Sequence, residues 1–150
     1  MGAIRIERLS VSDLERARTL FTLIADVFEM ESKVLSCDYL TQLLMRGDFW
    51  ALAASIDGRT VGGLTAHTLP LTHAEVSEIF IYDIAVMPDY QRRGIGRQLV
   101  ATLRAHAAAA RISLVFVPAD NEDTHALDFY QALGGNPAPV TIFTFSEAAT

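Results

Sequence analysis

Apolar and polar residues alternate through Ala3–Leu9, which predicts a first strand. Ser12-Asp13-Leu14-Glu15 then reads as a capping box. Leu14, Ala17, Phe21, Ala25 and Phe28 follow at helical spacing, so a helix is expected after it. A second, short helix is expected over Tyr39–Met45, ending near Gly47. Phe49–Ile56 and Thr60–Leu69 read as strands joined by the tight turn Asp57-Gly58. Ser77–Val86 is a long strand rich in Ile, Phe and Tyr, closed by Pro88. From Gly94 the period changes to helical, with Leu99, Val100, Leu103 and Ala107 on one face. Ile112–Val117 reads as a short buried strand, Thr124–Leu133 as a helix stopped by Gly134-Gly135, and Val140–Phe145 as a last strand. The order β-α-α-β-β-β-α-β-α-β predicts an α/β (α+β) fold, a mixed sheet with helices on both faces.

At 150 residues the chain has the length of one domain, and no linker or repeat divides it, so residues 1–150 are expected to form a single domain. No apolar run reaches the roughly 20 residues a membrane helix needs, and MGAIRIERLS lacks the layout of a secretory signal. Neither a membrane nor a nucleic acid is expected as partner, since the net charge is −6 and no basic stripe is present. A cationic partner suits that charge, although solubility alone accounts for a similar excess. The single cysteine, Cys37, points to a reducing, cytoplasmic setting and reads as a small hydrophobe. His67, His73, His106 and His125 lack paired ligand spacing, so no metal site is expected. Trp50 and the phenylalanines read as sheet core, not as a stacking platform for bases.

The chemistry concentrates in Ile84–Arg97. A buried strand ends, a loop follows, and Gly94 and Gly96 open a helix whose first N–H groups point outward at its positive end. That arrangement suits a pyrophosphate, and Arg92, Arg93 and Arg97 add charge there. A glycine-punctuated turn with solvated arginines is the structural alternative. No Gly-Lys-Ser/Thr makes a Walker loop, and no third glycine completes a dinucleotide fingerprint.

Gln91-Arg92-Arg93-Gly94-Ile95-Gly96 resembles the Gln/Arg-x-x-Gly-x-Gly/Ala signature of the GNAT superfamily of N-acetyltransferases. Asp83–Pro88 is similar to the strand before it, and Ala126–Gly134 to the family's Ala-x-x-Phe-Tyr-x-x-Leu-Gly helix. Asp38-Tyr39-Leu40, Phe49–Ala54, Ser77–Asp83 and Pro118-Ala119-Asp120 further resemble the aminoglycoside 3-N-acetyltransferases. The resemblance implies acetyl-CoA as cosubstrate and a sheet that splays where the fourth strand bulges. It places backbone groups of Ile84 and Val86 on the pantetheine amides, and Gln91, Arg92, Arg93, Gly94, Ile95, Gly96 and Arg97 around the pyrophosphate. A backbone N–H near Ile84 or Ala85 would hold the thioester oxygen.

In that family the tyrosine matching Tyr130 protonates the departing thiolate, while a packing role beside Phe129 and Leu133 is the alternative. Asp83 lies inside an apolar strand, a costly place for an acid unless it faces a cleft. It is the first choice to accept or direct the amine proton, with Glu78 second, and pairing with an arginine is the alternative. Strand alternation puts Glu78 and Tyr82 on the face opposite Asp83, unless a bulge intervenes. Asp120, Glu122 and Asp123 either cap the following helix or form an anionic rim for a polycation, and with Tyr82 they complete the expected acceptor side. The superfamily commonly has Asn where Asp123 stands, which favours an amine-facing role there. The expected reaction is direct acetylation of the 3-amino group of an aminoglycoside. An acetyltransferase of a polyamine, peptide or protein amine is one rival, and a non-catalytic acyl-CoA-binding module another. Val140–Phe145 is expected to be an edge or exchanged strand of a homodimer.

Overall fold

The structure is a computed structural model that describes residues 2–148. It divides into two compact units, Met1–Pro118 and Ala119–Thr150. In the first unit β1 (Ile4–Arg8) leads into α1 (Leu14–Val27), α2 (Cys37–Met45), β2 (Phe49–Ile56), β3 (Arg59–Pro70) and β4 (Ser77–Val86). α3 (Ile95–Ala109) and β5 (Val115–Phe116) follow, and the second unit contains α4 (Thr124–Ala132). The strands form one sheet in the order β1-β2-β3-β4-β5. The first three pairings are antiparallel and β4–β5 is parallel.

Strand periodicity sends each residue set to its own core. On one face Trp50, Leu52, Leu64, Ala66, Ile79 and Ile81 meet Ile95, Leu99 and Leu103 of α3. On the other, Phe49, Ala51, Ala53 and Ala85 meet Ala17, Leu20 and Ile24 of α1 and Leu40 of α2. All eight residues of β2 are buried, which explains an apolar run broken only by Ser55 in place of alternation. α1 lies close because Gly63 has no side chain: a Cβ there would stand 2.4 Å from Leu20 Cδ1 and 2.5 Å from the Leu52 carbonyl oxygen.

Several sequence expectations shift. The capping box sits two residues earlier, with Ser10 and Asp13 as its partners, because the chain enters a 3-10 turn (Val11–Asp13) before α1. Phe28 ends outside the core, since the helix stops at Val27 and the buried stripe runs through Ala17, Leu20, Leu23, Ile24 and Ala25. Cys37 is exposed, with Arg18 Nη2 at 3.6 Å from its sulfur, so it is not a buried hydrophobe. Ile112–Val117 contracts to the two-residue β5. Val140–Phe145 forms no strand. Its composition supplies strand propensity, but a strand needs a paired edge and this segment has none, leaving Val140, Ile142, Phe143 and Phe145 72–88% exposed.

Candidate active site

The short β5 opens the sheet. β4 pairs with it only at Ile79–Val115 and Phe80–Phe116, so from Ile81 to Val86 the outer edge of β4 faces no strand. The other edge stays paired with β3, with one irregularity: Thr65 opposes Asp83 while Ala66 opposes Ile81. Tyr82 is the inserted residue of a β-bulge, and the bulge breaks the strand's alternation. Ile84 and Val86 pack toward the α3 core, Ala85 toward the α1 core. Asp83 therefore shares the α1 face with Ala85. Tyr82 does too, through ring contacts with His67 at 6.1 Å and Phe80 at 5.7 Å, and His67 in turn meets Phe49. The bulge thus places Tyr82 and Asp83 on one face, not on opposite ones. Glu78 and Phe80 reach that face by ordinary alternation.

Asp83 is half-buried, and burial pushes its carboxyl above the usual carboxylate range. Thr65 opposes this in part, donating its hydroxyl to Asp83 Oδ2 at 3.3 Å. Among the described residues the ion pairs of Arg5, Arg16, Arg18 and Arg46 go to acids other than Asp83, which does not favour the ion-pair alternative. Thr65 was not singled out from the sequence. Its one signal is the register between β3 and β4, which the loop Leu71–Val76 leaves open.

Beyond Val86 the chain makes a 3-10 turn at Pro88–Tyr90, and Gln91 Nε2 donates to the Val86 carbonyl oxygen at 3.0 Å, folding the loop back on β4. Arg92 and Gly94 both take left-handed backbone, at φ 64° and 80°. Non-glycine residues rarely adopt it, and such strain gathers at ligand-binding loops. Gly94 caps α3 without a side chain, and a Cβ there would meet nothing within 4 Å. Gln98 N–H bonds the Gly94 carbonyl oxygen, so the N–H groups of Ile95, Gly96 and Arg97 have no carbonyl a turn behind them. Free donors, a positive helix end and open space at Gly94 suit a pyrophosphate, and the unpaired edge of β4 suits the amides of a pantetheine arm. Arg93 lies over the Tyr90 ring and lines an open cavity with Arg59, Asp57 and Asp89.

In the second unit, Asp123 Oδ1 accepts from Ala126 N–H and Asp120 Oδ1 from Glu122 N–H. Asp123 thus caps α4, Asp120 instead holds the turn before it, and Glu122 and His125 are exposed. Tyr130 is packed edge-on against Phe129 at 5.1 Å, and burial, with Asp123 adding a smaller effect, pushes its phenol up to about 12. It keeps its proton throughout the neutral range. Among the described residues no group of His, Cys, Asp and Glu can hold a metal ion, and no helix is long and apolar enough to cross a membrane.

Known proteins share this fold. An aminoglycoside acetyltransferase from an uncultured soil metagenomic sample, solved with trehalose, is 33% identical over 97% of both chains with a TM-score of 0.93. A second from a soil metagenomic sample is 34% identical over 97% of this chain and 99% of the other, again with a TM-score of 0.93. The [ribosomal protein bS18]-alanine N-acetyltransferase of Escherichia coli K12 is 30% identical over 70 residues, 47% of each chain. This chain thus spans about half the length of the curated relatives it matches. Residues 14–134, which hold the bulged strand, the glycine loop and the tyrosine helix, match the acetyltransferase (GNAT) family. With donors placed for a pyrophosphate and an open strand edge for pantetheine, the chain belongs to that family.

Proposed function

We propose that the protein acetylates an amino group of an aminoglycoside, the 3-amino group as its resemblance implies, and so confers resistance in the cytoplasm. The observation that carries this reading is Asp83, a half-buried carboxylate on the face that the bulge shares with Tyr82. The first of those soil metagenomic acetyltransferases is also solved in complex with sisomicin, in a structure 32% identical over 97% of both chains, which supports a polycationic acceptor. Residues 1–150 act as one catalytic domain in this reading. The exposed C-terminal segment supports a homodimer.

Acetyl-CoA supplies the acetyl group as a thioester. The N–H groups of Ile95, Gly96 and Arg97 and the side chains of Arg92, Arg93 and Arg97 hold its pyrophosphate, with Gln91 fixing the loop. Backbone groups of Ile84 and Val86 hold the pantetheine, and an N–H near Ile84 or Ala85 faces the carbonyl oxygen. The ammonium loses its proton to Asp83, directly or through water. The amine nitrogen bonds the acetyl carbon as the carbon–sulfur bond breaks, Tyr130 protonates the sulfur, and the nitrogen's second proton passes through water to restore the Tyr130 phenol. Glu78, Asp120, Glu122 and Asp123 add negative charge for the acceptor's remaining ammonium groups.

Steady-state kinetics with gentamicin and tobramycin across salt and pH test this. Salt screens long-range attraction with a Debye length of about 10 Å at 0.1 M, so the acceptor KM rises with ionic strength. Asp83→Asn lowers turnover by about 10²-fold, whereas Glu122→Gln mainly raises KM. Full turnover in Asp83→Asn removes the assignment. Activity toward a bS18-like N-terminal peptide alone would favour a protein amine, the reading that the curated relatives support.

A further inference from the structure

Among the described residues Thr65 and Ser55 are the two buried polar ones, and Thr65 is 7% exposed. It sits on β3 directly beside the bulge, and its cross-strand partner is Asp83. Strand partners present their side chains to the same face, and here the hydroxyl spans to Asp83 Oδ2 at 3.3 Å. The surrounding face offers no other donor close to that oxygen. α1 turns Ala17, Leu20 and Ile24 to the sheet, α2 turns Leu40, and β2 contributes Phe49 and Ala51. The titratable groups that β3 and β4 turn to this face are His67, Tyr82 and Glu78, and β1 adds Arg5 and Glu7, the latter ion-paired with Arg16 of α1. Burial, first, and the Thr65 hydroxyl, second, set the direction in which the Asp83 carboxyl moves.

We propose that Thr65 is a positioning residue for the acceptor proton, holding Asp83 Oδ2 by its hydroxyl so that Oδ1 is turned to the amine and ionised at neutral pH. This rests on the reading of Asp83 as the proton acceptor. A hydrogen bond to a carboxylate favours the charged form, and it does so most where burial disfavours charge. The bulge makes the pairing possible, because in an unbulged register continuing from the Ala66–Ile81 pair the residue opposite Thr65 would be Tyr82. The proton passes from the ammonium nitrogen to Asp83 Oδ1, and the Thr65 hydroxyl keeps its own proton throughout.

The pH dependence of kcat and kcat/KM separates this from a packing role. Thr65→Val keeps the size and the β-branch and removes the donor; Thr65→Ala removes it too, should valine fail to fold, and Thr65→Ser restores it. Loss of the hydroxyl moves the acid limb of kcat toward higher pH. Turnover at about pH 6 then falls roughly tenfold against that at about pH 8.5, the scale of one hydrogen bond to a charged group. Serine brings the limb back, and His67→Gln leaves it in place. Titration of the Asp83 carboxyl carbon by NMR shows the same upward movement in Thr65→Val without any turnover. An acid limb unmoved in Thr65→Val, with Asp83→Asn still impaired, overturns the role of Thr65 and leaves Asp83 standing. Full turnover in Asp83→Asn overturns both.

Discussion

Asp83 carries opposed demands of stability and chemistry. Its carboxyl is raised from an ordinary value of 3.8 because burial penalises the charge. Below pH 3.8 the carboxyl is neutral in folded and unfolded chains alike and costs nothing. As pH rises from 3.8 through the folded value, the unfolded chain ionises before the folded one, so the fold loses stability, and above the folded value the loss is complete. Asp83→Asn is therefore expected to raise the thermal midpoint at pH 7 and to leave it unchanged near pH 3, while turnover falls. Thermal unfolding at the two pH values checks this; an equal effect at both would mean that charge is not the cause. Tyr130 has the opposite relation to pH. With its phenol near 12, it is protonated over the whole working range and its ionisation contributes no alkaline limb below about pH 10. Tyr130→Phe should lower kcat about 10²-fold with unchanged acetyl-CoA affinity. An unchanged kcat makes Tyr130 a packing residue beside Phe129.

Glycine positions decide how two elements meet their neighbours. At Gly63 a methyl group would press on the Leu52 carbonyl oxygen, which is backbone and cannot rotate away, as well as on Leu20. Gly63→Ala is expected to cost about 1–3 kcal/mol by overpacking, measured by urea unfolding. At Gly94 the opposite holds, since the space is open but φ is 80°. Gly94→Ala should cost about 1 kcal/mol of stability through the left-handed backbone. Gly94→Asp adds a negative charge where the pyrophosphate approaches, and calorimetry should show weaker acetyl-CoA binding than for Gly94→Ala. Equal binding in the two variants would remove the phosphate from this helix end. Local patterns made these elements legible in the sequence. β2 and β4 have the expected bounds, Asp57-Gly58 forms its turn with φ of 50° and 79°, and Leu99, Val100, Leu103 and Ala107 face the core. The glycine loop was equally legible, because phosphate binding depends on consecutive backbone. The bulge and the Thr65–Asp83 pair were not, since they depend on the register between two strands joined by a six-residue loop. The start of α1 was misread because two serines, Ser10 and Ser12, both precede an acid, and only the path of the chain decides between them.

At the scale of the whole molecule, the unexplained surface is the segment after α4. Val140, Ile142, Phe143 and Phe145 place large apolar side chains on both faces of an extended chain, and such a segment is stable in water only when covered on both. Within the sheet, β1 and β5 are the edges, and β5 is only two residues long with the neighbouring Leu114 exposed. An exposed edge and an unpaired strand-forming segment are complementary: each lacks the main-chain partners that the other offers. The proposed homodimer follows from this, with the segment of one copy covered by the other. Two charges should prevent it, since an aspartate at the centre of an apolar interface is buried without a partner. Light scattering of the double variant Phe143→Asp, Phe145→Asp is expected to give the monomer mass where the parent gives twice that. Hydrogen exchange should show the amides of residues 140–145 protected in the parent and unprotected in the variant. A parent that scatters as a monomer at micromolar concentration, with these amides exchanging freely, would leave the segment as solvent-exposed chain and remove the dimer.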